Sequence, residues 1–408
     1  MAEREDIISA MNAEGTSALA RPLEAAPPAP AAPAMAQLPE LTSMRFLAAL
    51  SVLVGHFGPF LAWKGWSFDF AGGLGVSFFF VLSGFILTYR YWDDFSAGVS
   101  RRTYRHFLVA RVARVYPSYV LALVLITAMY VVLNALRPGI HAYPPNPVTS
   151  WLANLLALQT FAPTYATQQA WNAPSWSIST ELFFYYAFPF ILVAMARRAA
   201  GPKRLSSLLA LVVAYAVVTQ LAMVWVVAAF RLDIGYWVDL IASRNILWRL
   251  PEFLTGMVAA RLLYGGHLPA LRSVAVRNTV LACALAIIVL NAGGWPTIAT
   301  ETLAARQLRL DVGSMIPYAA VIVALAAGPT LVSPVLGRPA GVFLGDISFG
   351  VYIYHWIPWT ILAIAIDRGM AVSNSLVAAV IFATIIFAAA SYIWYEKPVR
   401  SYIRDTLG

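Results

Sequence analysis

Charge is what this sequence has least of. Aspartate, glutamate, lysine and arginine make up 12% of its 408 residues, against 60% hydrophobic residues. With a mean hydropathy of +0.71, that excludes an ordinary soluble protein and points to a chain that crosses a bilayer many times. Cysteine is nearly absent, and the single Cys283 excludes an internal disulfide. No Walker A loop, GxGxxG, HExxH, GxSxG elbow or HxxxxD pair occurs, so phosphate-loop ATPase, dinucleotide, zincin and α/β-hydrolase readings lose support. No internal repeat stands out, and no metal is expected.

What is present is a set of apolar runs. Ten segments come close to the roughly 20 residues needed to span about 30 Å of hydrocarbon as helices. They lie near 44–63, 72–91, 115–136, 174–195, 205–230, 246–264, 278–292, 313–332, 344–366 and 374–395. The expected fold is therefore an all-α polytopic membrane protein of about ten transmembrane helices. With a cytoplasmic N-terminus, seventeen Arg and Lys fall on cytoplasmic loops and the C-terminus, and seven on the opposite side. That bias satisfies the positive-inside rule and puts both termini in the cytoplasm. The net charge of +9 then reflects topology, and no nucleic-acid partner is read from it.

Residues 1–40 differ from the rest, with twelve Ala, six Pro and no periodic apolar face. They read as a disordered cytoplasmic tail ahead of a membrane domain at 41–402. The tail has no basic n-region or apolar core, so the first span is expected to act as an uncleaved signal-anchor. The loop at 137–173, rich in Pro, Asn, Gln and aromatics, is expected to hold a short interfacial helix at 149–161.

Ionisable groups inside such runs are expensive and mark function. Arg45 and His56 in MRFLAALSVLVGHF are eleven residues apart, which is three helical turns plus about 20°, so both share one face roughly 16 Å apart. The spacing puts an anion hook at the mouth of a cavity and a proton acceptor deep inside it. A neutral imidazole tolerates burial, and it could serve as a general base or as an acyl-carrying nucleophile. His355, about eleven residues into the ninth span, reaches similar depth. Ser83 and Gly84 are small residues in a bulky helix, serving either close ligand approach or tight helix packing.

Arg111 and Arg114 are i,i+3 at the cytoplasmic end of the third span, as topological charges or as two forks for phosphate. Pro117 is expected to break that helix. Glu181 lies about two turns in from the outer side, among Trp171, Trp176, Tyr185 and Tyr186. It could accept a sugar hydroxyl proton or pair with Arg249, while Arg249 and Glu252 could equally neutralise each other. Glu396 is expected in a helix-end salt bridge with Lys397 or Arg400.

Together these motifs resemble the acyltransferase-3 family of integral membrane acyltransferases, over residues 41 to 402. LTSMRFLAALSVLVGH matches its Arg-x10-His signature on Arg45 and His56, and FFFVLSGFIL its element on Ser83, Gly84 and Phe85. Arg111 and Arg114 resemble its Arg-x-x-Arg element, and WSISTELFFY its Trp-Ser-x-x-x-Glu segment on Glu181. ISFGVYIYHWI and YEKPVR resemble its closing stretches.

The resemblance implies acetyl-CoA or a related acyl-CoA as cytoplasmic donor, and an extracytoplasmic or lipid-linked glycan as acceptor. It implies His56 as the essential residue with Arg45 as its partner, and Arg111 and Arg114 as CoA phosphate ligands. His355 and Glu181 join the catalytic candidates, and Ser83 and Gly84 the donor-binding ones. A bacterial cytoplasmic (inner) membrane, a lipid bilayer and polysaccharide-assembly proteins are the implied surroundings. Some members carry a fused hydrolase-like domain; its expected absence here leaves the membrane domain to finish the transfer or hand the acyl group on. A glycan transporter or flippase is the alternative, disfavoured because Arg45 and His56 have no counterpart in the second half. A macrolide-type acceptor is a further alternative.

Overall fold

Proline and apolar composition set where the helices begin and how long they run. A computed structural model of the chain describes residues 37–61, 71–136, 143–144, 146–162, 164–198, 201–231, 244–292 and 303–408. Every regular element among them is helical. Helix α1 (Pro39–Phe57) starts with proline in its first turn and Glu40 beside it, both suited to a helix N-terminus. The tail read from residues 1–40 lies outside the described residues up to 36, and Pro39 and Glu40 already belong to α1.

The long elements that follow are α2 (Ala71–Phe95) and α3 (Arg101–Leu136), then the short α4 (Pro147–Leu155) and α5 (Tyr165–Gln168). Next come α6 (Trp176–Arg198), α7 (Pro202–Ala229), α8 (Ile246–Tyr264), α9 (Val274–Ala292) and α10 (Leu303–Ala326). A single turn α11 (Ser333–Leu336) leads to α12 (Pro339–Tyr354), α13 (Trp356–Asp367), α14 (Asn374–Ser391) and α15 (Lys397–Leu407). Each of the ten expected spans overlaps an α-helix, the ninth overlapping two. Eight segments among the described residues are long and apolar enough to cross a bilayer. Helix α8 misses that standard because it carries Arg249, Glu252 and Arg261, and in α10 the apolar stretch is only Val312–Ala326. Where the loop is expected to hold a helix over 149–161, α4 covers Pro147–Leu155 and a separate turn covers Gln159–Phe161.

Two expectations about helix continuity change. Helix α3 runs 36 residues straight through Pro117, so that proline does not break it. A bundle interior tolerates the missing amide where neighbouring helices pack the turn. The ninth span, by contrast, is two helices that meet at His355. Pro358 has no amide hydrogen for the Tyr354 carbonyl and its ring crowds that carbonyl, which ends α12 at Tyr354.

Helix α2 lies at the centre of Leu38–Gly408, against α1 and α8. Gly84 and Gly256 let α2 and α8 touch backbone to backbone: a methyl on Gly84 would overlap the Phe253 carbonyl, and one on Gly256 the Val81 carbonyl. Buried aromatics fill the interior around this crossing, with Phe184 stacked on Phe253 at 4.9 Å and Phe107 on Phe188 at 5.5 Å. Large apolar side chains on α7, α9 and α14, such as Leu211, Trp225, Val289 and Phe382, stay exposed. A soluble protein would bury them; a lipid-facing surface needs no such cover.

Candidate active site

Charged residues from several of the apolar runs converge on one cavity. Its volume is about 100 Å³, and it opens partly to solvent. Its wall brings together Arg45 of α1, Ser83 of α2, Arg111 and Arg114 of α3, and Glu181 and Tyr185 of α6. Ser177 of α6, Asp346, Ser348 and Tyr352 of α12, Glu396 and Arg400 complete the polar lining. Ten residues along α3 put Arg111 about 15 Å from the helix start, well inside the bundle.

Four guanidiniums share this space with three carboxylates, Glu181, Asp346 and Glu396. Arg45 lies within electrostatic reach of Arg111 and Arg114, and of Glu181 and Tyr185. Arg111 donates through Nη2 to the Tyr91 hydroxyl at 3.1 Å and lies over that ring at 5.4 Å, while its buried Nε has no hydrogen-bond partner among the described residues. Like charges held this close favour an anionic visitor. Glu181 Oε1 accepts from Ser83 Oγ at 3.1 Å and from the Tyr185 hydroxyl at 2.5 Å, so the carboxylate is fixed from two helices.

Glu181 lines the same cavity as Arg111 and Arg114. Of its two possible partners, Arg249 is taken by Glu252. Arg249 and Glu252 neutralise each other at 2.9 Å, deep between helices, with Arg249 also donating to Ser77 Oγ at 3.3 Å. Gly84 does not line the cavity either; it faces α8, which is the packing role. Glu396 is buried rather than paired at a helix end, and accepts from Ser118 Oγ at 2.9 Å. The π-helical turn Tyr392–Glu396 turns it inward, a distortion common at functional positions.

The two histidines meet. His355 Nε2 lies 2.9 Å from His56 Nδ1, and the rings stack at 5.0 Å. His355 is fully buried, with Nδ1 at 2.6 Å from the Tyr352 carbonyl. His56 is half-buried. Trp359 donates to the His56 carbonyl at 2.8 Å, and Trp356 presents its ring edge-on to His56 at 5.2 Å while stacking on Trp359 at 4.0 Å.

Neither histidine lines the cavity. Arg45 does, and Tyr352 closes the gap. Its ring lies 6.1 Å from His355, and its hydroxyl contacts Ser177 Oγ at 2.7 Å and donates to the Pro174 carbonyl at 2.9 Å. One aromatic ring thus separates the arginine-lined space from the imidazole pair. Sequence reading missed Tyr352, Ser177 and Asp346. Asp346 had a usable signal, a lone carboxylate in an apolar segment, whereas the tyrosine and serine look like packing residues. No group of three or more His, Cys, Asp or Glu among the described residues could hold a metal ion.

A family model described as an acyltransferase domain matches residues 38–395, which takes in this entire constellation except Glu396 and Arg400. The chain belongs to the acyltransferase-3 family. Among relatives of this acyltransferase, the exopolysaccharide production protein ExoZ of Rhizobium meliloti is 27% identical over 80% of the chain and 89% of its own length. YrhL of Bacillus subtilis, named provisionally as a peptidoglycan O-acetyltransferase, is 26% identical over 88% of the chain but only 54% of its own length. Acyltransferase MdmB of Streptomyces mycarofaciens is 31% identical over 29% of the chain and 28% of its own length. The chain therefore spans about half of YrhL and less than a third of MdmB. No solved structure matches it.

Proposed function

We propose that this acyltransferase moves an acyl group, acetyl in the first instance, from acyl-CoA on the cytoplasmic side to a hydroxyl of an extracytoplasmic or lipid-linked glycan. The observation that carries the reading is the cavity where Arg45, Arg111, Arg114 and Glu181 converge, ending one ring away from the His56–His355 pair. ExoZ, matched over most of both chains, favours a polysaccharide acceptor. The arginine bias of the loops favours cytoplasmic termini and a bacterial inner membrane, with the donor entering from the arginine-rich side.

In this reading Arg111 and Arg114 hold donor phosphates, since guanidinium forks match phosphate oxygens. Arg45, steadied by Glu181, steers the donor's acyl end toward His56. The His56 imidazole takes the proton of the acceptor hydroxyl as its oxygen bonds to the thioester carbonyl carbon. The carbon–sulfur bond then breaks, and the departing CoA thiolate receives that proton. Atoms and electrons balance with no further reactant. Trp356 and Trp359 beside His56 offer aromatic faces to a sugar ring.

Purified protein incubated with radiolabelled acetyl-CoA and candidate glycans tests the proposal. Label carried onto a glycan by the wild type and absent with His56→Ala supports it. No transfer from any acyl-CoA to any saccharide acceptor overturns it.

A further inference from the structure

The hydrogen bonds around the two histidines specify which ring nitrogens carry hydrogen. A carbonyl oxygen only accepts, so His355 Nδ1, at 2.6 Å from the Tyr352 carbonyl, is a donor. His355 is fully buried, its other hydrogen-bond partner is a second imidazole, and no carboxylate among the described residues pairs with it, so a cation there would stand uncompensated. The ring is therefore neutral, and a neutral imidazole has one N–H. Its Nε2 carries a lone pair, and that nitrogen faces His56 Nδ1 at 2.9 Å. His56 Nδ1 must then be the donor.

We infer that His355 is a positioning residue that locks His56 in the Nδ1–H tautomer, leaving His56 Nε2 as the reacting nitrogen. The inference rests on the acyl-transfer reading for what Nε2 reacts with, but the tautomer itself does not depend on it. A chain of donors runs from His56 through His355 to the Tyr352 carbonyl, at the junction where α12 ends. In serine-protease triads a buried carboxylate holds the imidazole in its tautomer. Here a neutral imidazole takes that place, adding no negative charge to the bilayer interior. When Nε2 takes the acceptor's proton, His56 Nδ1–H keeps its acceptor in His355 Nε2, so no hydrogen bond has to be rebuilt in that step. If Nε2 instead carries the acyl group, the same lone pair is the nucleophile.

The test is nitrogen NMR of histidine-labelled protein in nanodiscs, with His56 assigned by difference from His56→Ala. Protonated and unprotonated ring nitrogens have distinct shifts. The expected result is His56 with hydrogen on Nδ1 and a bare Nε2. His355→Phe should turn that single form into a mixture and lower kcat by at least about a hundredfold, where a fully wrong tautomer slows a triad by about 10⁴-fold. The apparent donor constant should stay within twofold.

His355→Gln offers an amide oxygen to His56 Nδ1–H. It should restore the wild-type tautomer and most of the lost rate. A wild-type His56 with hydrogen on Nε2 overturns the inference outright, as does a folded His355→Phe protein with unchanged tautomer and rate. If His355→Phe does not fold, the wild-type spectrum alone decides. Finding the expected tautomer in a protein that transfers nothing leaves the inference standing and removes the acyl-transfer reading.

Discussion

The Ser83 hydroxyl donates to Glu181 Oε1 at 3.1 Å, tying α2 to α6 across the cavity that Arg45, Arg111 and Arg114 line. Tyr185 donates to the same oxygen from one turn along α6. Two hydroxyl donors thus hold the carboxylate facing the arginines, where it offsets part of their mutual repulsion. Ser83→Ala removes a hydrogen bond to a charged group, worth about 1.5–3 kcal/mol. Thermal unfolding in detergent should register that loss in the wild-type background and much less of it beside Glu181→Gln. Additive effects in the double-mutant cycle would mean that the two side chains are not coupled.

Gly84→Ala should destabilise the protein without touching donor binding. Its methyl overlaps the Phe253 carbonyl, so α2 and α8 must separate, at a cost of about 1–3 kcal/mol or more. Reduced membrane abundance and a lower unfolding temperature are expected, with the apparent donor constant of the surviving protein unchanged. A raised donor constant at normal stability would return Gly84 to the donor site.

Arg111→Ala combined with Arg114→Ala should weaken donor binding more than turnover. Removing each guanidinium–phosphate hydrogen bond costs on the order of 1–3 kcal/mol. Arg111→Lys should recover little, because a point charge cannot reproduce the fork that also reaches the Tyr91 hydroxyl. Steady-state kinetics separates KM from kcat. An unaltered KM in a folded double variant would leave both arginines as topological charges.

His56→Ala should abolish transfer while the protein stays inserted and detergent-stable. The side chain is only half-buried, and losing a general base typically costs 10²–10⁴-fold in rate. Arg45→Ala should be milder and Arg45→Lys should rescue it only in part, since Arg45 lines the arginine-rich cavity proposed for the donor and His56 lies beyond Tyr352. Single-turnover rates at matched protein levels are the measurement. Near-wild-type rates from His56→Ala would move the reacting group to another residue.

Local chemistry made much of the molecule legible in the chain. Runs of apolar residues located a helix at each of ten positions, because hydrocarbon thickness fixes a length that a single segment either meets or does not. The eleven-residue spacing put Arg45 and His56 on one helix, where 100° per residue places both on the same side. The i,i+3 separation of Arg249 and Glu252 foretold their ion pair, again within a single helix. All of these are properties of one segment.

What only the tertiary structure decided is what crosses between segments. His56 and His355 lie 299 residues apart in sequence, and no periodicity within either helix specifies that their rings meet. Whether Glu181 would pair with Arg249 was equally open; the packing of α6 against α2 gave it Ser83 and a place in the arginine-lined cavity. Gly84 could have faced a ligand or a helix, and the close approach of Gly256 from α8 chose the helix. Burial of Glu396 required the π-helical turn, whose register does not show in the residues themselves. Segment hydrophobicity commits each helix to the membrane, while rotation and partner choice there come from side-chain packing among helices far apart in the chain.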